Sequence, residues 1–201
     1  MPDQKKQRLK ELGTDALAEA LLELADRDEA AQHLVDRLIT TPKETLKQVK
    51  SKLSKLKRSR KFISWRESAD FARELEDVLK DIKAGLNDSR AGVEMVASFF
   101  ETDDGTLAHC DDSSGHVGDV YRFKAKDLFI EYAVRCEDKD WLRERVLNLN
   151  RKDDYGIRDT LIDGALQYLP EPQIRLMIAR LQELADTETK DYPKTTLVHA
   201  H

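Results

Sequence analysis

The sequence predicts an all-α fold: a short α-solenoid-like stack of antiparallel helical hairpins, about nine or ten helices in all. Three observations carry that expectation. Apolar residues recur at steps of three and four along almost the whole chain, the period of an amphipathic helix. No stretch alternates Val, Ile or Thr with polar residues over a useful length, and no hairpin turn lies between such runs. The 201 residues include only eight glycines and five prolines, so connections are short and consecutive helices are antiparallel neighbours.

The elements follow in order. Leu17, Leu21 and Leu24 give one stripe, and Ala31, Leu34, Val35 and Leu38 a second. Thr41 followed by Pro42 is a helix start, since proline is tolerated at the first helical position. From there Leu46, Val49, Leu53 and Leu56 form a narrow apolar stripe with lysines on the other faces. Ser64-Trp65-Arg66-Glu67 has the spacing of a capping box. The helix after it carries Trp65, Ala69, Ala72, Leu75, Leu79, Ile82 and Leu86, with Phe71 and Val78 widening the stripe. A helix apolar on two faces is expected at the centre of the fold. After Asn87-Asp88-Ser89 a further helix uses Val93, Val96, Ala97, Phe100 and Leu107. Its period continues across Asp103-Asp104-Gly105, which predicts one helix with a solvent-facing acidic bump. Helices are then expected over about 117–136 and 139–150, through Ile157, Leu161, Ile162, Ala165 and Leu169, and from Pro172 onward. Residues 1–186 read as a single helical-repeat domain and 187–201, which lack a period, as a flexible tail. Gly118 and Gly156, 38 residues apart, each follow an Asp pair, a faint internal echo of two-helix length.

Composition narrows the function. No apolar run approaches the roughly 18 residues of a membrane span, and the first residues lack the apolar core of a secretory signal. Two cysteines, Cys110 and Cys136, do not make a disulfide framework, so the expectation is a cytoplasmic protein with reduced thiols. The net charge of −5 is unevenly spread. Lys43 to Lys61 holds nine Lys or Arg and a single acid, Glu44. No phosphate-binding loop, dinucleotide fingerprint or kinase motif is present, and no cofactor is expected.

The basic run, then FISWRES, DDSSGHVGDVY and DDYG, in this order and at these spacings, resemble an uncharacterised family of bacterial all-helical proteins built on a domain of unknown function. The resemblance covers roughly Thr14 to Ala185. Some members of that family occur in chains with a SWIM-type zinc finger. The resemblance implies a helical-repeat fold and no reaction. The finger is absent here, because two cysteines 26 residues apart cannot supply its CxC…CxH set.

Three sites are expected from the residues. The first is a polar edge. With helix direction alternating, the starts near Ser64, Val117 and Tyr155 share one end of the stack. That end would set Arg58, Arg60, Lys61 and Arg66 opposite Asp111, Asp112, Asp119, Asp153 and Asp154, either locking neighbouring repeats or holding a protein or peptide partner. This edge or a groove makes the first functional reading a non-enzymatic interaction scaffold. The second site is the basic helix: Lys47, Lys50, Lys52, Lys55, Lys57, Arg58, Arg60 and Lys61 could neutralise nucleic-acid phosphates. No aromatic is interleaved before Phe62, so stacking on single strands is not supported. The third is a metal or hydrolytic site from His109, Cys110, Asp112 and His116. Its spacing fits no ligand template, and Ser113 and Ser114 lack a nucleophile elbow. Asp112, Ser113 or Ser114 as cap for the helix near Val117, with Gly115 freeing the turn, is the simpler account. Gly118 would then let a neighbouring helix approach closely.

Overall fold

A computed structural model describes residues 2–191. The helices are α1 (Pro2–Glu11), α2 (Thr14–Ala25), α3 (Glu29–Ile39), α4 (Pro42–Arg58), α5 (Ser68–Gly85), α6 (Ser89–Phe100), α7 (Asp103–Ala108), α8 (His116–Asp119), α9 (Lys126–Arg135), α10 (Lys139–Asn150), α11 (Asp159–Asp163) and α12 (Glu171–Asp191). A π-helical turn, Val120–Ala125, joins α8 to α9 in one continuous run. The fold is all-α, and among the described residues the only extended pairing is an isolated parallel bridge between Ile63 and Cys110.

Local chemistry sets the starts of these helices. Thr41 and Glu44 form a complete capping box: each side chain accepts from the other residue's backbone amide, and Pro42 follows at the first helical position. Asp28, Asp88 and Asp138 cap α3, α6 and α10 by accepting from the amides of Ala31, Ala91 and Trp141. Such caps satisfy amides that the helix itself leaves unpaired, each stabilising by about 1 kcal/mol.

Helix α5 is central, packing against α4, α6, α8 and the π-helical turn. The core runs from α4 to α12 through Leu75, Ile82, Val96, Phe100, Phe129 and Leu142. Close approach of α6 to α9 depends on Gly92, where a Cβ would lie 2.2 Å from the Tyr132 ring. Tyr132 uses that space to reach the α5 C-terminus, donating to the Leu86 carbonyl at 2.9 Å. The α2–α3 pair stands apart from this core. Helix α2 buries no residue, and Leu22, Leu24, Leu34, Leu38 and Ile39 are exposed.

Several local expectations change. Helix α5 begins at Ser68, so Trp65 lies in the preceding turn, exposed rather than in the apolar stripe. Only half of the Ser64 box forms: Glu67 accepts from the Ser64 amide at 3.1 Å, but no side-chain cap on the first α5 amides replaces the other half. The helix expected across Asp103 is two helices, α6 and α7, broken at Glu101-Thr102. The acidic bump does not face solvent, because Asp103 is fully buried. Residues 157–169 form the short α11 and a 3-10 turn, Ala165–Gln167, instead of one helix. The internal echo shifts as well. Gly115 and Gly156, not Gly118, hold the left-handed backbone, with φ of 78° and 65°. Helix α12 continues past Thr187 to Asp191, and 192–201, with His199 and His201, lie outside the described residues.

Candidate functional site

Two of the three sequence motifs meet through backbone and hydroxyl hydrogen bonds rather than ion pairs. The Ile63 amide donates to the His109 carbonyl at 2.8 Å, and the Asp111 amide to the Ile63 carbonyl at 2.9 Å. The hydroxyls of Ser68 and Ser114 lie 3.2 Å apart. FISWRES and DDSSG are therefore one local unit at the start of α5. Beyond the DDYG motif, the Thr160 hydroxyl donates to the Arg122 carbonyl in the π-helical turn at 3.1 Å.

Within this unit the aspartates act on the backbone. Asp112 accepts from the amides of Val117 and Gly118 at 2.9 and 2.7 Å. Asp153 repeats the pattern, accepting from Ile157 at 3.1 Å, Arg158 at 2.6 Å and Asp159 at 3.2 Å. In each case a left-handed glycine, Gly115 or Gly156, precedes the capped amides and turns the chain toward the carboxylate. Gly118 serves this cap rather than a neighbouring helix. A Cβ there would come within 3.2 Å of Asp112 Oδ2 and 2.9 Å of Arg122 Nη1. Asp111 accepts from the Ser113 amide at 3.2 Å, and Asp119 and Asp154 are exposed. Among the described residues, Arg58, Arg60, Lys61 and Arg66 form no ion pair with any of these aspartates. Arg58 and Arg60 donate to the carbonyls of Ser54 and Ser59, Lys61 lies 4.0 Å from Glu67, and Arg66 sits over the Trp65 ring.

The residues of the metal reading are otherwise engaged. Among the described residues, no group of three or more His, Cys, Asp or Glu side chains is placed to hold a metal ion. His109 Nδ1 is 2.9 Å from the Gly105 carbonyl, and Asp112 is a cap. Burial, reinforced by the charges of Asp112 and Asp111, pushes the Cys110 thiol up, the reverse of what an activated nucleophile requires. His116 and Asp119 instead line a shallow groove between α5 and the π-helical turn, with Arg73, Glu76, Phe123 and Lys124.

The buried charges gather elsewhere. Arg158 donates through Nε to Asp103 Oδ2 at 2.8 Å, through Nη2 to Asp103 Oδ1 at 2.5 Å, and through Nη1 to the Leu149 carbonyl at 3.1 Å. Burial works against the Arg158 charge, but the hydrogen bond and charge of Asp103, with Asp104 and Asp153 behind them, hold the guanidinium protonated. Burial pushes the Asp103 carboxyl up. Beside this pair the Tyr121 hydroxyl is bonded to those of Thr102 and Thr106. The cluster is closed to solvent and ties α7 to the start of α11. The sequence did carry a sign of it, since Arg158 sits between Ile157 and Leu161 on the apolar face of its turn.

Another opening lies on the opposite flank of α5. A groove of about 610 Å³ runs between α3, α4 and α5. Its floor is Leu56, Phe71, Leu75 and Val78. Lys55 and Arg58 rim it on the α4 side, Glu74 and Asp77 on the α5 side, and Glu29 and His33 close the α3 end. Of the basic helix, Lys55 and Arg58 thus face this groove. Lys52 is paired with Asp81 at 3.0 Å and Lys57 with Glu101 at 2.8 Å, while Lys47 and Lys50 stay exposed. Among the described residues, no helix is long and apolar enough to cross a membrane.

Comparison with known proteins adds one match. The model of a family of unknown function, DUF6880, covers residues 4–200, and the chain belongs to that family. No curated protein and no solved structure matches it.

Proposed function

We propose that this member of a family without an assigned activity is a non-enzymatic interaction module. It holds an amphipathic helical segment of a partner protein in the groove between α3, α4 and α5. The observation that carries this reading is the groove's combination of an open apolar floor with a rim of opposite charges. Leu56 and Phe71 remain half-buried there and pack on the core from one side only. An incoming apolar helix face would cover them. Lys55 and Arg58 along one rim, and Glu74 along the other, would fix the direction of a segment with acids on one flank and bases on the other.

The expected polar edge supports the groove by elimination. Asp112 and Asp153 already accept from backbone amides, and that capping role accounts for both carboxylates without a ligand. The raised Cys110 thiol and the absence of a metal-ligand cluster among the described residues support a binding rather than a catalytic role. Free Cys110 and Cys136 fit the reading of a cytoplasmic protein.

Selection from a random peptide library tests the proposal. Amphipathic helical peptides are expected to be enriched, and to lose binding to Phe71→Glu and to the rim variant Lys55→Glu/Glu74→Lys. No enrichment over an unrelated helical protein, or binding unchanged in both variants, overturns it.

A further inference from the structure

We infer that the turn between α4 and α5 is a platform for single-stranded nucleic acid, with Phe62 and Trp65 as stacking surfaces and Arg58, Arg60, Lys61 and Arg66 as phosphate contacts. This goes beyond the peptide groove, with which it shares Arg58, and otherwise uses residues outside that groove.

Two large aromatic side chains are held open to solvent here, Phe62 at 61 % and Trp65 at 57 % exposure. Their backbone is pinned, not loose. Ile63, between them, is tied on both sides to the 109–111 segment. The Ser68 hydroxyl donates to the Trp65 carbonyl at 2.8 Å, and Glu67 holds the Ser64 amide and hydroxyl. A backbone already fixed in place lowers the cost of ordering these rings against a ligand. Burial against the core does not explain them, and helix formation does not, since both lie before α5 begins.

The charge around the rings is mostly positive, with the acids Glu67 and Asp111 close by. Arg58 and Arg60 donate to backbone carbonyls, which leaves their positive charge unneutralised. Lys61 lies at the 4.0 Å limit from the exposed Glu67. The Arg66 guanidinium carbon sits 5.3 Å from the centre of the Trp65 ring, an arrangement in which a base and a phosphate could be engaged side by side. Lys55 and Lys57 near the α4 C-terminus are favoured by the helix dipole alone, but Arg60, Lys61 and Arg66 lie outside the helix. The sites expected on the helix body differ in kind, because Lys52 and Lys57 are spent on Asp81 and Glu101.

Unpaired bases expose both faces to aromatic rings, whereas a duplex hides them inside its stack, so the rings select single strands. Four cationic contacts predict a log–log salt slope of about −3 for single strands.

The test is fluorescence anisotropy with labelled oligo(dT) and oligo(rU) of about 15 nucleotides, and a duplex of the same length, at low salt. The expected result is single-strand binding with quenched tryptophan emission. Affinity falls at least tenfold in Trp65→Ala and in Arg60→Glu/Lys61→Glu, and changes less than threefold in Lys47→Glu. These side chains are exposed, so melting temperatures stay unchanged. Four outcomes overturn the inference: no single-strand binding at low salt, binding indifferent to Trp65→Ala and Phe62→Ala, a duplex bound as tightly as the single strands, or poly-glutamate bound as tightly with the same sensitivity to the variants. The Phe71→Glu groove variant is expected to bind oligonucleotide normally, so failure of the groove reading and failure of this one are told apart.

Discussion

Arg158 and Asp103, 55 residues apart in sequence, form a two-point ion pair that solvent does not reach, at 2 % and 0 % side-chain exposure. It joins α7 to the turn that starts α11, two segments too short to hold their place by apolar contact alone. Removing Arg158 leaves the Asp103 charge buried without a cation, and removing Asp103 leaves the buried Arg158 only the partly exposed Asp104, at 3.2 Å. Asp103→Ala or Arg158→Ala is therefore expected to cost about 3–5 kcal/mol in urea unfolding. Replacing both by apolar residues of similar volume is expected to recover most of that loss, since desolvation then disappears together with attraction. Single variants that unfold like wild type would show that the pair is not the clamp between these segments.

Glu101 links α4 and α10 through hydrogen bonds from Lys57 at 2.8 Å and Arg145 at 2.9 Å. Burial alone would raise its carboxyl, but those two cations hold it below the usual value of 4.5. A depressed folded pKa stabilises above the unfolded value and is lost as pH falls through the folded one. Stability should accordingly decline on acidification below about pH 4.5, and Glu101→Gln should flatten that part of the decline. Exposed Glu44 and Glu67, lowered by hydrogen bonds from Thr41 and Ser64, act in the same direction and remain in the variant. Melting temperatures of both proteins between about pH 3 and 6 measure the difference. Equal slopes would remove Glu101 from the acid response.

The helical content was legible because the apolar period repeats in almost every segment, and starts such as Thr41-Pro42 and Asp88 carry their own caps. What escaped depends on residues distant in sequence. The chain breaks at Thr102 so that Asp103 can meet Arg158, and a period that runs on to Leu107 hides the break. Trp65 fits the spacing of α5, yet the bridge from Ile63 to Cys110 holds the chain extended until Ser64 and delays the helix. The cap role of Asp112 is legible beside Val117, whereas Asp153 reads as an ion-pair partner because charge counts are visible in a sequence and amide directions are not. The groove between α3, α4 and α5 arises from the packing of three helices and has no linear signature.

Gly92 allows the Tyr132 ring to pass α6. A methyl group there would sit 2.2 Å from the ring, which must then leave its bond to the Leu86 carbonyl. Gly92→Ala should improve helix propensity and still destabilise, by about 1–3 kcal/mol from overpacking. Trimming the ring in a Gly92→Ala/Tyr132→Leu double variant should make the effect of the alanine smaller than in the single variant. A thermal melt of Gly92→Ala equal to wild type would show that the close approach is not required.

Asp112 and Asp153 separate a cap from an ionic lock. If each works by accepting from amides, then Asp112→Asn and Asp153→Asn, which keep one acceptor oxygen, should cost less than the corresponding alanines. Each alanine should cost about 1 kcal/mol, as for a lost helix cap. A lock against Arg60, Lys61 and Arg66 predicts equal costs instead, because asparagine removes the charge as fully as alanine does. It also predicts that Arg60→Glu/Lys61→Glu destabilises as much as Asp112→Ala. The geometry favours the cap, since both aspartates face amides at 2.6–2.9 Å and neither is paired with those cations among the described residues. Urea midpoints of the five variants decide the matter: alanine-like asparagine variants together with a destabilised double charge reversal would restore the ionic lock.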